Sequence, residues 1–219
     1  MTLQTTIRKP TGCCEEVVFL DLSKMEWPLQ FLMLNDLNLW ITSGCVIFNP
    51  LFWNVVARWE YRTGGISGVL GGKKRGTFLM ALMIMTLGVF RDWMFKLMLD
   101  SQPKWPVLYE NWILWSGYAF IWIGSTLVLS SFYSLGFYGT FLGDYFGILR
   151  DERVTGFPFN ILDNPMYVGA TLNFIGSALV KASQTGVLVS VLVAIVYKVA
   201  LMYEGPFTEY IYSQRRKEP

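Results

Sequence analysis

Four stretches of the chain lack formal charge for long enough to matter in a bilayer: residues 37–57, 76–90, 111–143 and 164–203, the last apart from Lys181 and Lys198. A helix needs about 20 apolar residues to cross the hydrocarbon. The pattern therefore predicts an all-α, polytopic integral membrane protein with about four membrane helices. The first stretch is broken by Asn49-Pro50, and asparagine before proline is a good helix start, with Asn as N-cap and Pro in the first turn. A kinked or re-entrant first segment is expected. The second stretch completes a span if it extends through Trp93 and Met94, with Arg91 and Asp92 near the surface. In the third, residues 112–131 read as a helix, followed by Tyr133, Phe137, Phe141 and Tyr145, whose spacing of four would form one aromatic stripe on a continuing helix. The fourth divides at residues 181–186, whose composition is that of a turn. The result is a C-terminal helical hairpin with Asn164 and Glu204 together at one bilayer face.

The chain then divides into a polar segment at 1–36 with no assignable role, a membrane-embedded unit at 37–208 and a basic tail at 209–219. Hydrophobic residues make up 53% of the 219 and charged residues 16%, well below the roughly one quarter usual in soluble domains. Residues 1–26 carry Lys9, Glu15, Glu16, Asp21 and Lys24 rather than a basic start and an apolar core, so the first hydrophobic segment is expected to target the chain. Lys73-Lys74-Arg75 and Arg215-Arg216-Lys217 flank membrane segments and read as headgroup anchors, not nucleic-acid contacts. If they fall on opposite sides, they give no orientation. Cys13, Cys14 and Cys45 lack metal or redox spacing and read as free thiols, with acylation of Cys13 or Cys14 as the alternative. The chain has no histidine. That excludes histidine metal sites, Ser-His-Asp and Cys-His pairs and imidazole relays, and no metal is expected.

The polar groups that remain sit at helix ends. Asn164-Pro165 offers free amide groups and a positive dipole end to an anion, although plain capping explains it equally. Glu204, after a long apolar run and before Gly205-Pro206, reads as a carboxylate at a helix stop. There it could accept hydrogen bonds from hydroxyls or an ammonium, or simply be solvated. Gly117, Gly124 and Ser131 share a face at spacings of seven, as do Gly169 and Gly176. Close helix packing is the plain reading of both sets. The aromatic set is either an interfacial belt or a wall beside a cationic headgroup.

Three blocks bring these signals together. They are Leu129-Ser130-Ser131-Phe132, the run from Gly139-Thr140-Phe141-Leu142-Gly143-Asp144-Tyr145 to Leu149, and the run from Phe157-Pro158-Phe159-Asn160 to Asn164-Pro165-Met166-Tyr167. With Phe48-Asn49-Pro50-Leu51-Phe52-Trp53-Asn54 and the residues up to Glu60, they make the chain resemble the single-chain phosphatidylethanolamine N-methyltransferases, collinearly from residue 48 to near the C-terminus. The first 36 residues lie outside the likeness. The resemblance implies an enzyme of the endoplasmic reticulum and mitochondria-associated membranes that transfers three methyl groups in succession from S-adenosylmethionine to phosphatidylethanolamine, giving phosphatidylcholine. It also implies cofactor contacts at a Gly-x-Gly element and at a Glu-Glu pair before Pro-Phe. Here those positions read Trp122-Ile123-Gly124 and Glu204-Gly205, so only Gly124 and Glu204 carry over.

The expected cofactor set is thus Ile123, Gly124, Glu204, Asn164 and Tyr167. Tyr133, Phe137, Phe141 and Tyr145 form the expected substrate set, with Tyr167 able to join them, and Asp144 is the candidate base. An indole at Trp122 would fill the space that a glycine leaves, unless it turns outward to lipid. Related membrane methyltransferases acting on a prenylated cysteine, and a weakened or inactive lipid-binding relative, are the alternative readings.

Overall fold

The computed structural model describes residues 32–152 and 154–215, so Cys13, Cys14 and the segment before Leu32 lie outside the described residues, as do Arg216 and Lys217. Six α-helices follow in order: α1 Leu37–Thr63, α2 Gly65–Leu70, α3 Lys73–Ser101, α4 Asn111–Thr140, α5 Pro165–Val180 and α6 Gln184–Arg215. Short 3-10 turns at Pro106–Tyr109 and Gly143–Phe146 join them, and no strand occurs among the described residues. Among the described residues, four helices are long and apolar enough to cross a membrane. Large apolar side chains such as Trp40, Phe78, Trp93, Leu129 and Ile195 cover the outside. In lipid this is the low-energy surface, because hydrocarbon solvates them and the backbone is satisfied within each helix.

The first segment departs from expectation. Asn49 does not start a helix: α1 runs unbroken for 27 residues with Pro50 inside it, so the segment does not turn back. The Asn49 side chain is 1% exposed, and its amide donates to the Leu87 carbonyl of α3 at 3.1 Å. A tertiary partner has taken the role that capping would have played. The helix ends where Gly64 adopts φ 61 and its N–H reaches the Glu60 carbonyl, a left-handed stop that glycine makes without strain. Glu60 is buried and accepts from the amides of Ile66 at 2.7 Å and Ser67 at 3.1 Å, which folds α2 back toward α3.

The C-terminal hairpin forms, with its turn at residues 181–183, but its arms are unequal. The 16 residues of α5 rise about 24 Å, short of the roughly 30 Å hydrocarbon, while the 32 residues of α6 rise about 48 Å. Glu204-Gly205-Pro206 is no helix stop, since α6 continues through Pro206 to Arg215. Pro206 cannot donate to the carbonyl one turn back. The Arg58 guanidinium donates to the neighbouring Tyr203 carbonyl at 2.7 Å, supporting that turn from outside. The basic tail from residue 209 accordingly begins as more helix, with Ile211 3% exposed.

One apolar cluster, with Val46, Phe95, Met98, Phe174 and Val193, joins α1, α3, α5 and α6. A second, with Ala57, Met80, Tyr145, Phe146 and Ile211, seats the Gly143–Phe146 turn against α1, α3 and α6. Helix α4 meets α5 backbone to backbone. A Cβ added at Gly124 would lie 2.5 Å from the Gly169 carbonyl, and one at Gly176 would lie 2.6 Å from that of Gly117. The two glycine pairs read from the sequence therefore face each other.

At the hairpin-turn end, polar side chains tie the helices. Gln102 accepts from the Met33 amide at 2.9 Å and from Thr185 at 2.9 Å, and donates to Asp36 at 2.9 Å. Asp36 also accepts from Ser101 at 2.6 Å and caps α1 through the Asn38 amide at 2.9 Å. Lys181 pairs with Asp100 at 2.8 Å. Burial raises the Asp36 pKa, but the bonds from Ser101, Gln102 and Asn38 outweigh it and hold the carboxyl below its ordinary value. A depressed carboxyl pKa contributes stability above the unfolded value, about 3.9, that is lost as pH falls through the lower folded value. We expect Asp36→Ala to cost about 1 kcal/mol at neutral pH, as for other N-caps, and the difference from the parent to fade below about pH 4. Thermal unfolding in detergent across that range checks this.

Candidate functional site

At the opposite end of the hairpin, three helices converge on Glu204. Its Oε1 accepts from the Trp53 indole N–H and the Asn54 amide, both at 2.7 Å, and its Oε2 accepts from the Tyr167 hydroxyl at 2.6 Å. Trp53 and Asn54 reach it because α1 continues past Pro50, and Tyr167 because it lies in the first turn of α5. A carboxylate taken out of water is stabilised when its lone pairs are filled by donors of this kind. The network continues inward. The Tyr167 ring meets that of Tyr197 edge-on at 4.9 Å, and the Tyr197 hydroxyl accepts from Arg91 at 2.7 Å. Arg91 lies over the Phe174 ring at 5.0 Å and pairs with Asp92 at 2.8 Å. Arg91 is thus not a surface residue closing a span: its side chain is 12% exposed, consistent with the rule that charges at membrane depth face partners.

Asn164 stands at the N-terminus of α5 without a side-chain capping bond, exposed, one turn from Tyr167. Asn164, Tyr167 and Glu204 therefore share one end of the hairpin, as the turn at 181–186 implied. Asp144 comes to the same end on the Gly143–Phe146 turn, beside Thr208 and within electrostatic reach of Glu204. Arg58 lies over the Phe207 ring at 4.5 Å, and Phe207 stacks on Tyr145 at 5.2 Å.

The aromatic stripe does not form. Gly136 sits at φ 63, ψ −179 inside α4, a backbone that breaks the straight run, so positions 133, 137, 141 and 145 lose their common face. Tyr133 is 90% exposed and points away. Phe137 and Phe141 do meet, with ring centroids 5.1 Å apart, and Phe78 of α3 stacks on Phe137 at 6.2 Å. Tyr145 belongs instead to the buried seat under α6.

Gly124 and Ile123 are not brought to Glu204. Gly124 contacts Gly169 and Asn173, and at 100° per residue those positions lie about 200° and 240° round α5 from Tyr167. Helix α5 thus stands between them. Ile123 is exposed, and Trp122 is 73% exposed, lining an open groove of about 600 Å³ with Trp115, Tyr118 and Ser125 on the outer face of α4. The indole has turned outward and fills no space beside Gly124. Trp122→Gly is accordingly expected to leave affinity for S-adenosylhomocysteine within about two-fold, as for surface changes generally, measured by calorimetry in detergent. Trp53, Asn54, Arg91 and Tyr197 were not found from the sequence. Trp53 and Asn54 lie inside the first block of likeness, but no periodicity or charge pattern ties them to a residue 150 positions away.

The family described as phospholipid methyltransferase matches residues 112–215. The chain is 49% identical to phosphatidylethanolamine N-methyltransferase of Mus musculus, over 87% of this chain and 96% of that protein. It is 51% identical to the enzyme of the same name from Homo sapiens, over 78% and 85% of the respective lengths. It is also 49% identical to phosphatidyl-N-methylethanolamine N-methyltransferase of Saccharomyces cerevisiae, over 79% and 84%. No solved structure matches.

Proposed function

The chain belongs to the phospholipid methyltransferase family, and on that footing we propose that it methylates the amine of phosphatidylethanolamine in three successive steps to give phosphatidylcholine. S-adenosylmethionine is the methyl donor in this reading, and the membrane is that of the endoplasmic reticulum and its mitochondrial contacts. The observation that carries the site is the Glu204 carboxylate, held by donors from α1 and α5 at the end of the hairpin.

The residues present fit such a donor. Glu204 suits the hydroxyls or ammonium of its polar part, Asn164 adds an uncapped helix start, and at Gly205 a Cβ would meet no atom within 4 Å. The missing second carboxylate thus leaves room, not a filled wall. When bound, the donor supplies a methyl carbon activated by a sulfonium. What the chain supplies is alignment, which can lower a two-reactant barrier by about 7 to 11 kcal/mol, and an amine free of its proton. An apolar surrounding disfavours the ammonium. Asp144 takes the proton, and Phe137 and Phe141 are the rings of this reading for the methylated cation, each able to contribute about 0.5 to 2 kcal/mol. Tyr167 positions Glu204, and Gly124 acts at one remove by letting α5 seat on α4.

Product analysis tests the reading: purified chain given phosphatidylethanolamine and labelled donor yields mono-, di- and trimethylated lipid. Absence of all three methylated products would overturn it, and labelling of a prenylated peptide instead would favour the protein-methylating alternative. Asp144→Asn is expected to lower turnover about 100-fold or more, the scale of general-base loss, with S-adenosylhomocysteine affinity retained.

A further inference from the structure

Asn54 has a half that the Glu204 cluster does not use. Its Nδ2 lies 2.7 Å from Glu204 Oε1 and 3.0 Å from the Pro50 carbonyl. Both neighbours are acceptors, so the amide cannot be turned round. Its Oδ1 is consequently fixed on the other side, buried and without any hydrogen-bond partner. Buried carbonyls are nearly always paired, and one left unpaired is costly unless a ligand completes it. On α1 the flanking Leu51 and Val55 are 58% and 56% exposed, so Asn54 stands beside the lipid-facing side of that helix, whereas Asn164 and Glu204 come from the hairpin.

We infer that Asn54 Oδ1 is the acceptor for an N–H of the lipid amine during methyl transfer, and that it therefore sets how well the chain performs the first two methylations relative to the third. This rests on the reading given above. In each transfer the nitrogen lone pair forms the new N–CH3 bond while the sulfonium C–S bond breaks, its electron pair leaving on sulfur. The attacking nitrogen carries two N–H bonds in the first transfer, one in the second and none in the third. As positive charge develops, the remaining N–H bonds become stronger donors, so an acceptor facing them stabilises the transition state more than the ground state. The cation formed in the first or second transfer then releases one proton, to Asp144 in this reading. The third forms a quaternary nitrogen with no proton to release, and Asn54 Oδ1 has nothing there to accept.

The same carbonyl could instead face an N–H or O–H of the methyl donor, and the experiment separates the two sources. kcat/KM is measured with phosphatidylethanolamine and with its mono- and dimethyl forms, for the parent chain, Asn54→Leu, Asn54→Gln, Asn54→Ala and Trp53→Phe, alongside S-adenosylhomocysteine affinity by calorimetry. Trp53→Phe removes a donor to Glu204 and keeps the acceptor, so all three steps fall together. Asn54→Leu lowers the ratio of first-step to third-step kcat/KM about ten-fold or more, the scale of a hydrogen bond to a charged group. Asn54→Gln keeps both the N–H2 and the carbonyl, one methylene further out, and holds a ratio closer to the parent's than Asn54→Leu does; Asn54→Ala carries the test if Asn54→Leu does not fold. An unchanged ratio in Asn54→Leu, or a ratio in Asn54→Gln as low as that in Asn54→Leu, overturns the inference. Equal loss in all steps, with S-adenosylhomocysteine affinity lost in Asn54→Leu but retained in Trp53→Phe, assigns the carbonyl to the methyl donor. Absence of methylation by the parent chain sinks the underlying reading instead.

Discussion

Glu204→Ala is expected to abolish both S-adenosylhomocysteine binding and methyl transfer. The side chain is the only shared acceptor for Trp53, Asn54 and Tyr167 in the cluster. Its removal takes away the polar anchor for the ligand and leaves three donors facing a void, each orphaned donor costing about 1 to 3 kcal/mol. Part of the effect would then be loss of folded protein, so the informative comparison is Glu204→Gln. Glutamine keeps the shape and one acceptor oxygen, but turns an N–H2 toward donors. We expect it to remain folded by thermal unfolding and to bind S-adenosylhomocysteine about 10- to 100-fold more weakly, the worth of charge-assisted hydrogen bonds. Normal turnover by either variant would remove Glu204 from the site.

Gly124→Leu is expected to have the second largest effect, by a different route. The first atom of any side chain there would sit 2.5 Å from the Gly169 carbonyl and 2.6 Å from Asn173 Oδ1. A backbone carbonyl cannot swing aside, so α5 must move off α4, at a cost of about 3 kcal/mol or more including the overpacking of the branched side chain. The displaced helix carries Asn164 and Tyr167, so donor binding falls along with stability. If Gly124 instead touched the methyl donor directly, Gly124→Ala would lower affinity without lowering the unfolding temperature, and that result would overturn the packing assignment. Gly117→Leu, facing Gly176 in the same seam but nearer the hairpin turn, should destabilise similarly while affecting donor affinity less.

The chain of hydrophobic spans was legible because it depends on composition over about 20 residues, and the bilayer leaves helices as the only way for such segments to satisfy their backbones. The hairpin and the seven-residue glycine spacing were legible for a related reason: helical periodicity is local and puts those glycines on one face before any partner is known. Glu204 was legible as a carboxylate at the end of a long apolar run, whereas the family came from blocks of likeness, not from periodicity.

Other readings failed where a local preference met a tertiary partner. Asn49-Pro50 has the form of a helix start, yet a carbonyl on α3 takes the asparagine and α1 continues. Gly205-Pro206 has the form of a stop, yet α6 runs on over Tyr145 and Arg58. The aromatic stripe required a straight helix through Gly136, whose own backbone denies it.

What the amino-acid order determined alone was the membrane class, the number and approximate limits of the spans, the return of the C-terminal pair and the small-residue seam, because each follows from spacing along one helix. Only the tertiary structure decided that Trp53, Asn54 and Tyr167 close around Glu204, that Arg91 reaches Tyr197, and that α5 stands between Gly124 and that cluster. A hydrogen bond between residues 150 positions apart has no periodicity to betray it, since its partners are selected by how helices pack and not by how each one forms.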